Sequence, residues 1–374
     1  MKQLDLKNDY IIAIDIPFNF LFQYIKNIYY ELYSIPGIKI VFIVPVNNPS
    51  DPRNYLIRCG IDHNDIISYP HIVFSRVVDI FFTPANSQIL ITSKKTKKVI
   101  YAHTLAGWGN GKSTYGIENI LNYDYIFTTG LIQEKVIDDY FMFKKNITLP
   151  PKIPIGYTLG DSITGGYANY NKNELLQKRG LKPNNITVIY APSWGETASF
   201  RECGFLIIEE LCSNKSLNVL VKLHPALLYG SRKAEKNESI IWLKELNRLG
   251  AKYENLLLME NDTNFHSLFS SDIMITDISG VGFEFLLLRK PVIYFDVPNY
   301  FKKFGIEGPE FWARKGIIVK KVEEIKDAIN MYIKKPGLYI NEVNNLIPLL
   351  IHNPNNATKT AVQALLKILN YRTD

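Results

Sequence analysis

The chain has 374 residues, a length that suits two α/β domains better than one. Apolar residues make up 47% and charged residues 21%, the composition of a folded soluble protein, and no run reaches the roughly 18 uninterrupted apolar residues of a membrane span. A net charge of +7 and a pI near 9.0 favour anionic partners such as nucleotides, phosphopolymers or anionic lipid surfaces; nucleic acid is set aside because the Lys and Arg residues are scattered and not interleaved with aromatics.

In chain order, the first ten residues carry acidic side chains and no apolar core of a secretory signal, so the expected location is the cytoplasm. Residues 10–16 form a short apolar run and 18–34 have helical length. Residues 38–44 (IKIVFIV) are continuous and β-branched, as in a strand buried on both faces. Residues 77–82, 98–102 and 125–128 read as further strands, with a helix over 131–140 between elements. Such alternation implies a parallel sheet covered by helices. The basic cluster Lys94–Lys98 reads as a solvated turn or as a contact to a membrane or polyanion.

Pro150, Pro151 and Pro154 break the pattern, and the inter-domain linker is expected there, ending near Asp161. The expected division is 1–152 for an N-terminal domain, 153–356 for a C-terminal domain and 357–374 for a last helix. Strands are expected at 187–191, 218–223, 256–259, 273–276, 291–295 and 316–319, with helices at 204–213, 239–249, 264–270 and 279–288. The helix from 357 to 371 is amphipathic, with Ala361, Leu365, Leu366 and Leu369 at helical spacing.

Open parallel sheets bind ligands beyond the C-terminal ends of their strands, so the loops there are the places to look. Thr276-Asp277-Ile278-Ser279-Gly280 leaves a β-branched run and enters an apolar helix. Ser279 suits an N-cap, Gly280 and Gly282 leave room for a ligand, and free N–H groups at such a helix start suit a diphosphate. Glu284, one turn further, suits a ribose. In Lys222-Leu223-His224-Pro225 the Lys and His flank Leu223 and share a side of the strand end, where both suit phosphate oxygens and the His suits proton transfer. Ser193 and Trp194 follow a third strand and are candidates for lining the same site.

In the N-terminal half His103 directly follows a strand and is a candidate base for an acceptor hydroxyl. Gly111-Lys112-Ser113 resembles the end of a P-loop, but Ala106 stands where its first glycine belongs. Lys112 and Thr263 are kept as additional candidates. His63, His71, His266 and His352 show no zinc spacing, no DxD-like pair follows a strand, and no cofactor or metal is expected. The three cysteines, Cys59, Cys203 and Cys212, form no CxxC pair and read as buried thiols.

YAPSW, VKLHP and SDIMITDISGVGFEFLLLRKPVIYFD, in this order, resemble the CDP-glycerol glycerophosphotransferase family of teichoic-acid-type primases and polymerases, with relatives in capsule synthesis. The resemblance implies a GT-B fold, two Rossmann-like doubly wound domains facing a cleft, with the final helix crossing back to the N-terminal domain. It implies transfer of a polyol phosphate, glycerol phosphate first, from a CDP-polyol to a glycan or lipid-linked acceptor with loss of CMP, at the cytoplasmic face of the membrane. It implies that His224 contacts the diphosphate, that Asp277, Ser279 and Gly280 match a Thr-Asp-Tyr-Ser-Ser loop, and that His103 matches the His of an N-terminal His-Gly-Thr-Pro. The sequence departs from the pattern at Thr104, at Gly280 in place of the second Ser, and at Gly195, where the family often has Arg and Arg201 is the nearest substitute. The alternatives are a GT-B glycosyltransferase or epimerase using a nucleotide sugar, and a non-catalytic phosphopolymer- or membrane-binding protein.

Overall fold

A computed structural model describes residues 10–46, 51–69, 78–84, 95–105, 117–229, 233–259, 265–306 and 308–371. The chain divides into two compact units: the first holds described residues from 10 to 162 and from 349 to 371, the second residues from 163 to 348.

Among the described residues the first unit is built on seven strands: β1 (Tyr10–Asp15), β2 (Ile38–Pro45), β3 (Ile66–Tyr69), β4 (Ile80–Thr83), β5 (Lys97–Tyr101), β6 (Tyr125–Thr128) and β7 (Lys152–Pro154). They pair in parallel in the order β3-β2-β1-β4-β5-β6-β7. Alternate side chains serve opposite faces. Ile12, Ile14, Phe42, Val44 and Phe82 enter one core cluster, while Ile11, Ala13, Val41, Ile43 and Phe81 enter the other. This two-sided burial is why the strands read as continuous apolar runs.

The segment 18–34 is a core helix over most of its length. Phe22, Ile25, Ile28, Tyr29 and Leu32 of helix Phe22–Tyr33 are buried, which leaves Phe18, Phe20, Tyr30 and Tyr33 exposed. The last helix, Ala357–Leu369, packs Ala361, Val362, Leu365 and Leu369 into the same cluster. Burial of a Val or Leu side chain contributes about 1.5–3 kcal/mol each, so this stripe is a substantial part of the first unit's core.

The proline segment differs from its reading as a linker. Residues 152–154 form the edge strand β7, where a missing N–H costs no central ladder bond. The chain instead passes between units within helix Thr158–Ala168, and returns within helix Ile340–Leu350, which carries Pro348.

Among the described residues the second unit has six parallel strands: β8 (Ile186–Tyr190), β9 (Leu217–Val221), β10 (Leu256–Leu258), β11 (Ile273–Thr276), β12 (Val292–Phe295) and β13 (Ile317–Val319). Their order is β10-β9-β8-β11-β12-β13. The chain therefore builds outward from β8 in one direction and then restarts beside it at β11. That reversal is the switch point at which doubly wound sheets open a crevice. The three cysteines are free, with Cys212 buried and the others half-buried.

Candidate functional site

At the switch point of the second unit three loops lie side by side, after β9, β8 and β11. The ladder continues briefly past β9, with Lys222 N–H donating to Tyr190 O at 3.0 Å. Leu223 turns into the core, and Lys222 and His224 remain half-buried on either side of it. Pro225 opens the short helix Pro225–Tyr229, and Leu227 N–H donates to His224 O at 2.8 Å. His224 thus stands at the strand–helix turn.

Trp194, in the β8 loop, stacks on the His224 ring with centroids 5.8 Å apart and planes 27° from parallel. The indole stays 41% exposed, so it is a surface platform more than a core residue. Gly195 follows with φ of 105°, a left-handed bend that favours glycine.

The β11 loop carries the helix Gly280–Leu287. Ser279 occupies its N-cap position with φ −77° and ψ 138°, but its side chain makes no capping hydrogen bond. A Cβ on Gly280 would meet nothing within 4 Å, so this helix start is open. Such a start offers N–H donors and a positive dipole end to an anion. Gly282 has a different purpose from the one read from sequence: a Cβ there would lie 3.2 Å from Thr276 Cγ2, so it lets the helix approach the sheet. Glu284 is half-buried in the second turn.

Asp277, read from the sequence as a candidate for the diphosphate, is held by the protein itself. It is 1% exposed, and both oxygens are taken by protein donors. Oδ1 accepts from the N–H of Ser193 at 2.8 Å and of Ile278 at 2.6 Å. Oδ2 accepts from Ser199 N–H at 2.9 Å and Ser199 Oγ at 2.8 Å. Ser193 is buried with it and supports the loop from inside. Arg201, the additional candidate, is already engaged. Its guanidinium pairs with Glu238 at 2.7 Å and lies 5.0 Å from the Trp242 ring, so its charge is already matched. Lys112, Thr263, Lys94 and His71 lie outside the described residues.

In the first unit His103 stands two residues past β5. Tyr24 packs on its ring at 4.3 Å between centroids, and Tyr157 lies 6.2 Å from Tyr24. The residue is half-buried, and burial dominates the ring's ionisation and pulls the pKa down to about 4, against weaker opposing contacts to the backbone at Pro84 and Tyr101. His103 is therefore neutral at pH 7.

Its position is fixed by Gln133, a residue sequence reasoning missed. Gln133 is fully buried and donates through Nε2 to Ala102 O at 2.8 Å and Thr104 O at 2.7 Å, while its Oε1 accepts from Thr129 N–H at 2.9 Å. The carbonyls on both sides of His103 are thereby clamped. The opposite wall is tied by Thr158, whose N–H donates to Tyr101 Oη at 3.0 Å and whose hydroxyl donates to Tyr24 O. Among the described residues no three His, Cys, Asp or Glu side chains gather as a metal-holding group.

Two Rossmann-like parallel-sheet units, the second with an open helix start in the same row of loops as a His–Trp pair, define a GT-B-type fold. The solved wall teichoic acid polymerase TagF superposes with a TM-score of 0.64 at 15% identity, over 96% of this chain and 89% of that one. A UDP-N-acetylglucosamine 2-epimerase superposes with a TM-score of 0.59 at 13% identity, over 99% and 98%. The family model for CDP-glycerol:poly(glycerophosphate) glycerophosphotransferase matches residues 103–335, more than half of the chain, and the chain belongs to that family. Among curated relatives it is 30% identical over 159 residues to the teichoic acid glycerol-phosphate primase of Bacillus spizizenii, covering 39% of this chain and 36% of the relative. It is 21% identical over 212 residues to the teichoic acid poly(glycerol phosphate) polymerase of the same organism, covering 56% and 50%. The chain thus spans about half the length, or less, of these relatives.

Proposed function

We propose that this protein transfers a polyol phosphate, glycerol phosphate first, from a CDP-polyol to a hydroxyl of a glycan or lipid-linked acceptor in cell-surface polymer synthesis. The observation that carries the reading is the stacking of Trp194 on His224 in the row of loops that also holds the open helix start at Ser279 and Gly280, all inside the family match. In the proposed reaction the acceptor oxygen attacks the β-phosphorus and forms a new P–O bond. The bond from that phosphorus to the bridging oxygen breaks, and CMP leaves. His103, neutral at working pH, takes the acceptor proton. Alone it is a weak base, and an anionic phosphate brought near the ring raises its pKa toward a more useful value. Lys222, His224 and the helix start at Ser279 hold the negative charge that grows on the departing phosphate, with His224 donating to it. Glu284 is assigned to the ribose.

The second reading, a nucleotide-sugar glycosyltransferase or epimerase, draws support from the fold shared with the epimerase, since a shared fold does not set the reaction. Thermal shifts with CMP, CDP, UDP and GDP separate the two. Stabilisation by CMP and CDP-glycerol is expected, and stabilisation by UDP or GDP alone would favour the nucleotide sugar.

Peripheral contact with the anionic cytoplasmic face of the membrane is proposed on the net charge of +7 and the exposed Phe18, Phe20 and Tyr33. No helix among the described residues is long and apolar enough to cross a membrane. Failure to sediment with anionic liposomes would remove this part, and binding to them without any nucleotide-dependent shift would favour a non-catalytic protein.

A further inference from the structure

The three loops at the switch point of the second unit are joined by one chain of contacts, and its buried end is Asp277. Four donors face the Asp277 carboxylate: three backbone N–H groups, from Ser193, Ile278 and Ser199, and the Ser199 hydroxyl. Ser199 has a single hydroxyl proton, which is committed to Asp277. In the 3.0 Å contact between Tyr190 Oη and Ser199 Oγ the phenol is therefore the donor. Tyr190 and Ser199 are both fully buried. The carboxylate thus grips the β8 loop on both sides of residues 194–198, at Ser193 and at Ser199. Between the two grips Gly195 makes the left-handed bend, and Trp194 projects over His224. Trp194 is 41% exposed, so the course of the β8 loop sets where its ring lies.

We propose that Asp277, Ser199 and Tyr190 form a buried latch that holds Trp194 against His224, making Asp277 a positioning residue and not a ligand of the donor diphosphate. The latch rests on the proposed reading only for the chemistry of His224. Its geometry does not depend on which nucleotide is used. An amide in place of the carboxylate turns one donor toward Ser199 N–H, so the substitution Asp277→Asn opens one grip while keeping the shape.

Two measurements on the full chain test this. The first is acrylamide quenching of tryptophan emission in the wild type, Asp277→Asn, Ser199→Ala, Trp194→Phe and the two corresponding double variants. Asp277→Asn should raise quenching, Ser199→Ala should raise it less, and neither should do so in the Trp194→Phe background. Unchanged quenching, or a rise that persists without Trp194, overturns the latch. The second is CMP release from CDP-glycerol. Asp277→Asn and Trp194→Ala should each lower kcat/KM by about tenfold or more, and the double variant should be no worse than the poorer single one, the non-additivity expected of one connected unit. Effects that multiply would show that Asp277 acts on the donor independently. If Asp277→Asn fails to fold, Ser199→Ala carries both tests at a smaller size. If CDP-glycerol is not turned over by the wild type, the reading of the donor fails while the quenching result still decides the latch.

Discussion

His103 and His224 each stand a few residues beyond a parallel strand, but their surroundings differ in kind. His103 is packed against Tyr24 and clamped through Gln133 in a setting that keeps the ring uncharged. His224 lies at an open strand–helix turn, stacked on a partly exposed indole, in the same row of loops as an uncapped helix start. Desolvation disfavours charge, whereas an open helix start favours an anion. One environment keeps an imidazole neutral and the other favours a bound anion.

The largest effect that would break this contrast is at His103. His103→Ala should lower turnover by about 10²-fold or more while CMP affinity stays near wild type. A loss of CMP affinity of similar size would mean the two histidines share one role. Gln133→Leu tests whether the clamp matters. It takes the Gln133 partner from the Ala102 carbonyl and the Thr129 N–H, while Thr104 O keeps the Thr129 hydroxyl, and each unsatisfied buried group costs about 1–3 kcal/mol. A lower Tm with turnover down about tenfold and unchanged CMP binding is expected, and wild-type turnover would show that the clamp does not position the ring.

The ionisation of His103 sharpens the same contrast. An ordinary imidazole takes up a proton near pH 6.5, and this one resists until about pH 4. Between those values the unfolded chain binds the proton and the folded chain does not, so this group's contribution to stability falls as the pH is lowered through that window. A histidine NMR titration should show the His103 ring neutral at pH 5.5, and a midpoint near 6.5 would contradict its burial. The smallest effect is expected at Gly280. With open space around its Cβ position, Gly280→Ser should leave Tm unchanged and CDP-glycerol affinity within about twofold.

Much of the arrangement of the second unit's switch-point loops was legible in the sequence because it is local. A β-branched run followed by Lys222-Leu223-His224-Pro225, or by Asp277-Ile278-Ser279-Gly280, announces a strand end and a helix start within a few residues. The supports were not legible because they join distant residues: Ser199 meets Asp277 across 78 positions, and Gln133 meets Ala102 across 31. A polar residue in a helix reads as solvent-facing. Only its place on one stripe with Ile137 and Phe141, at spacings of four and eight, signals that Gln133 is buried. Asp277 was read as a ligand because a carboxylate beside a helix start looks available, and only the fold reveals the four donors around it. Strand β7 was missed because prolines are excluded from central strands and tolerated at edges, and sequence alone does not say which a segment is.

The central claim is that the second unit's switch-point loops act on a CDP-polyol. Its most direct test is CMP release from CDP-glycerol in the presence of a glycan or lipid-linked acceptor, measured for the wild type and for His224→Ala. The account predicts acceptor-dependent release of CMP by the wild type, lowered about 10²-fold in the variant. No release from CDP-glycerol, together with turnover of a UDP- or GDP-sugar, would contradict it.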